Sequence, residues 1–378
     1  MIYLDYSATT PVSFEVLDTI NQTTKKFIGN ANSLNGLGQK SADLLKSATK
    51  QIADLFNILP EEITFTSSST ESNNMALIGI AMENHKKGKH IITSKLEHPS
   101  IYAICDYLSS IGFEISYVNN SSEGLVDFDH LKQLVRQDTI LVSICAVNSE
   151  IGVRQPLKMI RQIIKKENLE CLLHSDMTQA IGKTSVSLFD VDLASISSHK
   201  IFGPKGIAML YKSSSVKIKP LIYGSGKSND LKPGTPALPL IVGFAKALRL
   251  ALEDIEKKEK YIILMNERLC KKFSQMPGIL INKTKYSVPN ILNLSLMNIK
   301  PETFIRALDM EEVYISTNTA CKSGELSAGV MAVFNDYQRA IHTIRISLAS
   351  ITTTEEINKF IEIFIKNYEK LNSLTTRG

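Results

Sequence analysis

Leu193-Ala194-Ser195-Ile196-Ser197-Ser198-His199-Lys200 opens as a short run of apolar and small residues and ends on a lysine, with the turn Gly203-Pro204-Lys205-Gly206 behind it. Four such residues bounded by turn signals predict a buried strand that delivers Lys200 at its carboxyl end. Upstream, Cys171-Leu172-Leu173-His174, Thr139 to Ile144, Phe113 to Val118, His90 to Thr93 and Glu62 to Thr66 have the same character. Helical patterns separate them, from Glu71 to about Glu83 and from Pro156 to Lys166. Strands alternating with helices predict an α/β fold with a mainly parallel sheet covered on both faces. Downstream, one long helical stretch is expected from about Leu240 to Phe273, with Glu253, Glu256, Lys257 and Lys258 on its polar side. The final helix shows Ile357, Phe360, Ile361, Phe364, Ile365, Tyr368 and Leu371 on one face, with Thr354, Glu355 and Glu356 as its start signal.

The chain has 378 residues, 43% of them hydrophobic and 21% charged. That length holds two to three domains of about 150 residues, and the composition excludes a disordered chain. The net charge of +5 is mild, and the only basic cluster is Lys86, Lys87 and Lys89. A nucleic-acid face is therefore not expected. The five cysteines, Cys105, Cys145, Cys171, Cys270 and Cys321, include no pair at zinc-ribbon spacing, and their odd number argues against a disulfide framework. The opening MIYLDYSATT lacks the basic-then-apolar order of a signal peptide, and no apolar run reaches the ~18–20 residues of a membrane span. A cytoplasmic globular protein is the expectation.

Lys200 alone would be read as a solvated cation. Its context is richer, because Asp176 lies at the end of the preceding strand candidate and Gln179 three residues beyond it. A Schiff-base lysine near an acid able to pair with a pyridinium nitrogen is what pyridoxal 5'-phosphate requires. Taken singly, Asp176 could equally cap a helix. Thr66-Ser67-Ser68-Ser69-Thr70 joins a strand to a helix and offers hydroxyls and N–H groups to a phosphate, with Ser197 and His199 as its other half. His98, in Glu97-His98-Pro99-Ser100, could stack on a flat ring or simply cap a helix. Cys321 lies in the small, polar segment Ser316 to Gly324 beside Lys322, a setting that favours an accessible thiolate, whereas the other four cysteines read as packing residues. Arg345 interrupts an apolar strand-like run, so it must pair with an internal carboxylate or await one from a ligand. Gly224-Ser225-Gly226-Lys227-Ser228 imitates the end of a phosphate-binding loop, but position 221 is Leu rather than the required Gly.

Together these motifs resemble the NifS/IscS type of cysteine desulfurase, of the class V aminotransferases. The resemblance rests on Tyr3 to Pro11, Phe65 to Ser67 with Thr70 to Asn74, Glu97-His98, Glu150 to Val153, and Asp176 to Gln179. It continues through Ser197 to Gly206, Ala320-Cys321, and Arg345 to Leu348, in order along nearly the whole chain. It implies a type I pyridoxal-phosphate fold and a homodimer. The expected large domain spans residues 15–255, and residues 1–14 and 256–378 form a smaller one carrying Cys321. The seven-stranded sheet would hold the cofactor, with Lys200 in Schiff-base linkage and Asp176 on the pyridine nitrogen. Gln179 and, more weakly, Ser149 would lie near the phenolic oxygen, and His98 on the ring. Ser69, Thr70, Ser197 and His199 would hold the phosphate, joined by Thr235 of the other subunit, and Ser198 would be a further cofactor-binding residue. Arg345, with Asn32 and Asn35, would receive L-cysteine, and Cys321 would take its sulfur for an acceptor protein of iron–sulfur assembly or thiolation.

The chain departs from that family pattern at Ser149, where a second asparagine is usual, and at Asn35, where a histidine is usual. Asn229 and Lys232 stand in place of arginines in a rewritten segment from Gly224 to Thr235. These departures bear on substrate affinity and turnover more than on cofactor binding. A selenocysteine lyase, another class V aminotransferase reaction, and a degenerate non-catalytic sulfur-relay partner remain as alternatives.

Overall fold

The computed structural model describes residues 1–224, 231–317 and 326–375. Its strands, in chain order, are β1 (Ile2–Tyr3), β2 (Ile63–Thr66), β3 (His90–Ser94), β4 (Glu114–Val118), β5 (Thr139–Ser143) and β6 (Leu172–Asp176). They continue with β7 (Leu193–Ser197), β8 (Ala208–Lys212), β9 (Ile279–Ile281), β10 (Ile291–Leu296), β11 (Val313–Tyr314) and β12 (Thr343–Ser347). Seven strands form one sheet in the order β2-β8-β7-β6-β5-β3-β4. The run from β7 to β4 is parallel, while β8 is antiparallel to both of its neighbours. The strand that opens the sequence reading is thus the first of the parallel set, and the α/β fold is as expected.

Side chains alternate across a strand, and both faces of this sheet are apolar. Ile92, Val142, Leu173 and Ile196 enter one cluster with Phe244 of the helix Leu238–Leu252. Ile91, Leu141, Leu193 and Leu210 enter the opposite one, with Ile80 and Ile101 of the helices Ser69–Asn84 and Pro99–Ser110. Each such side chain stabilises the fold by about 1.5–3 kcal/mol on burial.

A second sheet has the antiparallel order β12-β10-β9, and β1 pairs in parallel with β11. Ile2 and Leu4 share a cluster with Phe273, Phe304, Phe360 and Phe364, so the first residues of the chain pack with its last third. The aromatic contacts there are close, with Phe273 and Phe364 ring centroids 4.3 Å apart and Phe304 and Phe364 4.8 Å apart.

Two expectations are corrected. The long helix expected over 240–273 is two helices, Leu238–Leu252 and Ile255–Phe273. Asp254 takes the left-handed conformation (φ 51°), which an aspartate tolerates better than most residues and which a continuous helix forbids. Lys258 then serves the break: its Nζ donates to the carbonyls of Leu250 and Glu253, both at 2.6 Å, satisfying acceptors that the first helix leaves open. The last helix, Thr354–Thr375, is capped one residue earlier than expected. Thr353 Oγ1 accepts from the Glu356 N–H at 3.1 Å while Glu356 Oε2 accepts from the Thr353 N–H at 2.8 Å, a reciprocal capping box. Its apolar face is as read, with Ile357, Phe360, Phe364 and Tyr368 buried.

Candidate functional site

The parallel direction of β2, β3, β5, β6 and β7 sends five segments out over one edge of the large sheet. They are the turn before Ser69, Glu97-His98, Asn148 to Glu150, Asp176 to Gln179 and Ser198 to Lys200. The chain order reverses at β3, which lies between β4 and β5. Open α/β sheets bind ligands beyond the carboxyl ends of their strands at such a point.

Asp176 ends β6 and is buried. Its Oδ1 accepts from the Thr178 N–H at 3.0 Å, so it does cap the following turn. Its Oδ2 accepts from Asn73 Nδ2 at 2.9 Å. Asn73 comes from the helix Ser69–Asn84, and the same Nδ2 donates to Ser100 Oγ at 3.0 Å. Ser100 in turn meets His98: Nδ1 accepts from the Ser100 N–H at 3.2 Å and lies 2.9 Å from Ser100 Oγ. Nδ1 is therefore an acceptor, and the ring proton sits on Nε2. Burial lowers the pKa of His98, which favours the neutral ring. The capping readings of His98 and Asp176 both hold, and Asn73 links the two residues through Ser100.

Lys200 sits in a single 3-10 turn after β7. Its Nζ donates to the carbonyls of Ser7 and Ala8, both at 2.6 Å. Gln179 Nε2 donates to the same Ser7 carbonyl at 2.9 Å. The N-terminal segment thus closes over the lysine. His199 also turns to it: its Nδ1 lies 3.1 Å from Thr9 Oγ1 and its carbonyl accepts from the Thr10 N–H at 2.8 Å. Burial, with Lys200 next, pushes His199 down to about 4.

Arg345 lies in β12 and is almost wholly buried. Its Nη1 donates to the Ser149 carbonyl at 3.0 Å, and Nη2 donates to Asp5 Oδ1 at 3.0 Å and Ser316 Oγ at 2.8 Å. The internal carboxylate that its burial demands is Asp5. The Ser149 contact is through the backbone, so the unusual side chain there leaves it intact. Glu97 Oε1 accepts from Ser94 Oγ at 2.6 Å and the Cys145 N–H at 3.0 Å, while Oε2 is buried with no partner among the described residues. Burial pushes the Glu97 carboxyl up to about 8. Glu150 is likewise raised by burial, and its Oε2 accepts from Ser327 Oγ and from the Gly329 N–H at 2.9 Å.

Other candidates are not drawn into this cluster. Asn35 is exposed and caps the helix Gly36–Phe56, its Oδ1 accepting from the Gly38 N–H at 2.9 Å; Asn32 is exposed beside it. Thr235 is exposed and lines a separate cavity of about 550 Å³ with Ser67 and Lys232. Lys232 pairs there with Glu71. Cys321, Asn229 and most of the Gly224 to Ser228 motif lie outside the described residues. The four other cysteines are free thiols; Cys105, Cys145 and Cys171 are buried, and Cys270 is half-buried. Cys145 and Cys171 flank strands rather than lying in them.

The residues suit a phosphorylated pyridine aldehyde. Lys200 offers an amine, Asp176 a carboxylate held by neutral donors, and the Ser197 and Ser198 hydroxyls are buried with no partner among the described residues. The first-turn N–H groups of the helix beginning at Ser69 have no intrahelical acceptor. Among the described residues no cluster of metal-ligating side chains occurs, and no helix is long and apolar enough to cross a membrane.

Sequence reasoning missed Asn73, Ser100, Asp5 and the Ser7 and Ala8 carbonyls. Asn73 and Asp5 carried a signal only as members of longer motifs, since nothing local tells which residue far along the chain each will meet.

The chain is similar over its length to proteins of one family. The family model for aminotransferase class-V matches residues 2–360. Cysteine desulfurase IscS of Dictyoglomus turgidum is 36% identical over 380 residues, covering 99% of this chain and 96% of that one. Cysteine desulfurase IscS of Klebsiella pneumoniae is 38% identical over 384 residues, covering 99% and 94%. A solved NifS-like protein superposes with a TM-score of 0.92 at 36% identity, covering 98% of this chain and 99% of that one. The chain belongs to the class V aminotransferase family, among the NifS/IscS-type cysteine desulfurases.

Proposed function

We propose that the enzyme binds pyridoxal 5'-phosphate and removes sulfur from L-cysteine, giving L-alanine and a persulfide on Cys321. One observation carries the reading most directly: Lys200 and the buried carboxylate Asp176 emerge from neighbouring parallel strands at the same sheet edge. Lys200 would hold the cofactor covalently, Asp176 its ring nitrogen, and Gln179 its phenolic oxygen. Ser69, Thr70, Ser197, Ser198 and His199 are proposed for the phosphate, with Thr235 of a second subunit. The exposure of Thr235 leaves it free for that role. When bound, the cofactor supplies an electron sink for negative charge developing at the substrate Cα.

The chain's own groups do the rest. Arg345 receives the substrate carboxylate and so orients the Cα–H bond. Lys200 Nζ, as a neutral amine, takes the Cα proton. His98, neutral with its proton on Nε2, packs on the ring. Cys321 Sγ, as thiolate, bonds to the substrate sulfur; the C–S bond breaks, its electron pair stays with Cβ, and protonation at Cβ with return of the Cα proton from Lys200 gives alanine. A homodimer, a cytoplasmic setting, a division into residues 15–255 and residues 1–14 with 256–378, and a sulfur-acceptor protein belong to the same proposal. The four free thiols suit a reducing compartment.

The test is to add L-cysteine to holoenzyme and follow alanine and protein-bound persulfide together, with selenocysteine in parallel. Equal amounts of alanine and persulfide are expected from cysteine, and no alanine from it defeats the reading. Cys321→Ala should keep the colour of the bound cofactor and form no persulfide. Sulfur release by that variant at the normal rate would remove Cys321 from the role.

A further inference from the structure

Lys183 is a buried amine that the proposed chemistry does not use. It is 8% exposed, and its one described hydrogen bond goes to Gln179 Oε1. Burial, reinforced by Lys200 and Arg345, holds it well below the usual lysine range. The local backbone explains its place. Gly182 has φ +72°, and a Cβ there would come within 2.9 Å of Ala251 Cβ. The turn that only glycine makes comfortably brings Lys183 back over the residue four positions earlier.

The amide of Gln179 is oriented from both ends. The Ser7 carbonyl can only accept, so Nε2 must face it, at 2.9 Å. Lys183 supplies the N–H that Oε1 needs. Nε2 therefore has one hydrogen on Ser7 and, among the described residues, no acceptor for its second. The same Ser7 carbonyl accepts from Lys200 Nζ at 2.6 Å, so one chain of hydrogen bonds runs from Lys183 through Gln179 and Ser7 to Lys200. Without Lys183, Oε1 would be a buried acceptor with no donor, and rotating the amide to find one would take the N–H away from the site.

We propose that Lys183 is a positioning residue that holds the Gln179 amide with its N–H toward the cofactor's phenolic oxygen. This deepens the function proposed above and rests on its placement of Gln179. A donor to that oxygen stabilises its anionic form, so losing it alters both the visible absorption band and the retention of the cofactor.

The experiment is a double-mutant cycle on holoenzyme with Lys183→Met, Gln179→Leu and both together. The readouts are the position of the visible band and the pyridoxal-phosphate dissociation constant, with thermal unfolding as a check on the fold. Lys183→Met should move the band in the same direction as Gln179→Leu and raise the dissociation constant about 3- to 10-fold, the worth of one hydrogen bond. The double variant should go no further than Gln179→Leu alone. An unmoved band in Lys183→Met beside a moved one in Gln179→Leu overturns the proposal, and so do additive effects. An unmoved band in Gln179→Leu instead overturns the placement of Gln179 itself. Lys183→Arg keeps a donor and should keep the wild-type band; it decides the matter if the methionine variant fails to fold.

Discussion

The edge of the large sheet and the strand β12 each hold a buried charge, and they hold it differently. At the sheet edge Asp176 is kept by two neutral donors, the Asn73 amide and the Thr178 N–H. In β12 the Arg345 guanidinium is kept by a full counter-charge, Asp5, together with Ser316 and the Ser149 carbonyl. Neutral dipoles satisfy an anion while leaving its charge available to a ligand. An ion pair cancels the charge, so a ligand carboxylate on Arg345 must share it with Asp5. The difference fits the two proposed tasks: Asp176 has to act on an incoming cation, and Arg345 has to release its ligand after each turnover.

The largest effect that could break this contrast is expected at Asp5. Asp5→Ala leaves a guanidinium whose side chain is 2% exposed without its counter-ion. It should cost about 3–5 kcal/mol of unfolding free energy in urea titration, the usual cost of stripping one partner from a buried pair. A loss below ~1 kcal/mol, the worth of an exposed pair, would mean that Arg345 does not depend on Asp5. Asn73→Ala at the other site removes one neutral donor and should cost about 1–3 kcal/mol, and it should also weaken cofactor retention because Asp176 and His98 lose their common bridge. If Asn73→Ala costs as much as Asp5→Ala, the two sites do not differ in kind.

The last effect is a slope, read per pH unit rather than as one free energy. The Glu97 carboxyl, fully buried and pushed up to about 8, binds its proton more tightly folded than unfolded. Its contribution is complete below the unfolded value near 4.5 and is lost as pH rises toward 8, so stability falls across that window. One such group gives at most about 1.4 kcal/mol per pH unit. Glu97→Gln should flatten the curve between those limits, and an unchanged slope would show that Glu97 is ionised in the folded enzyme.

How much of this was legible follows from range. β7 could be read from Leu193 to Ile196 because burial on both faces writes itself into a run of apolar and small residues. The helix break at Asp254 could not, because Glu253 and Asp254 look like any exposed pair until the left-handed residue and the lysine that caps the break are seen. His98 and Asp176 were legible as candidates through their neighbours in the chain. Asn73, which joins them, was not, because its partners are 27 and 103 residues away.

By itself the sequence determined the alternation of strands and helices, the lysine at a strand's end, and the family to which these motifs belong. Those are local properties, set by side-chain periodicity and by residue types at short spacing. Only the tertiary structure decided that Ser7 and Ala8 receive Lys200, that Asp5 answers Arg345 across 340 residues, and that Lys183 turns the Gln179 amide. A buried polar group must find a partner somewhere, but which one it finds depends on how distant segments pack.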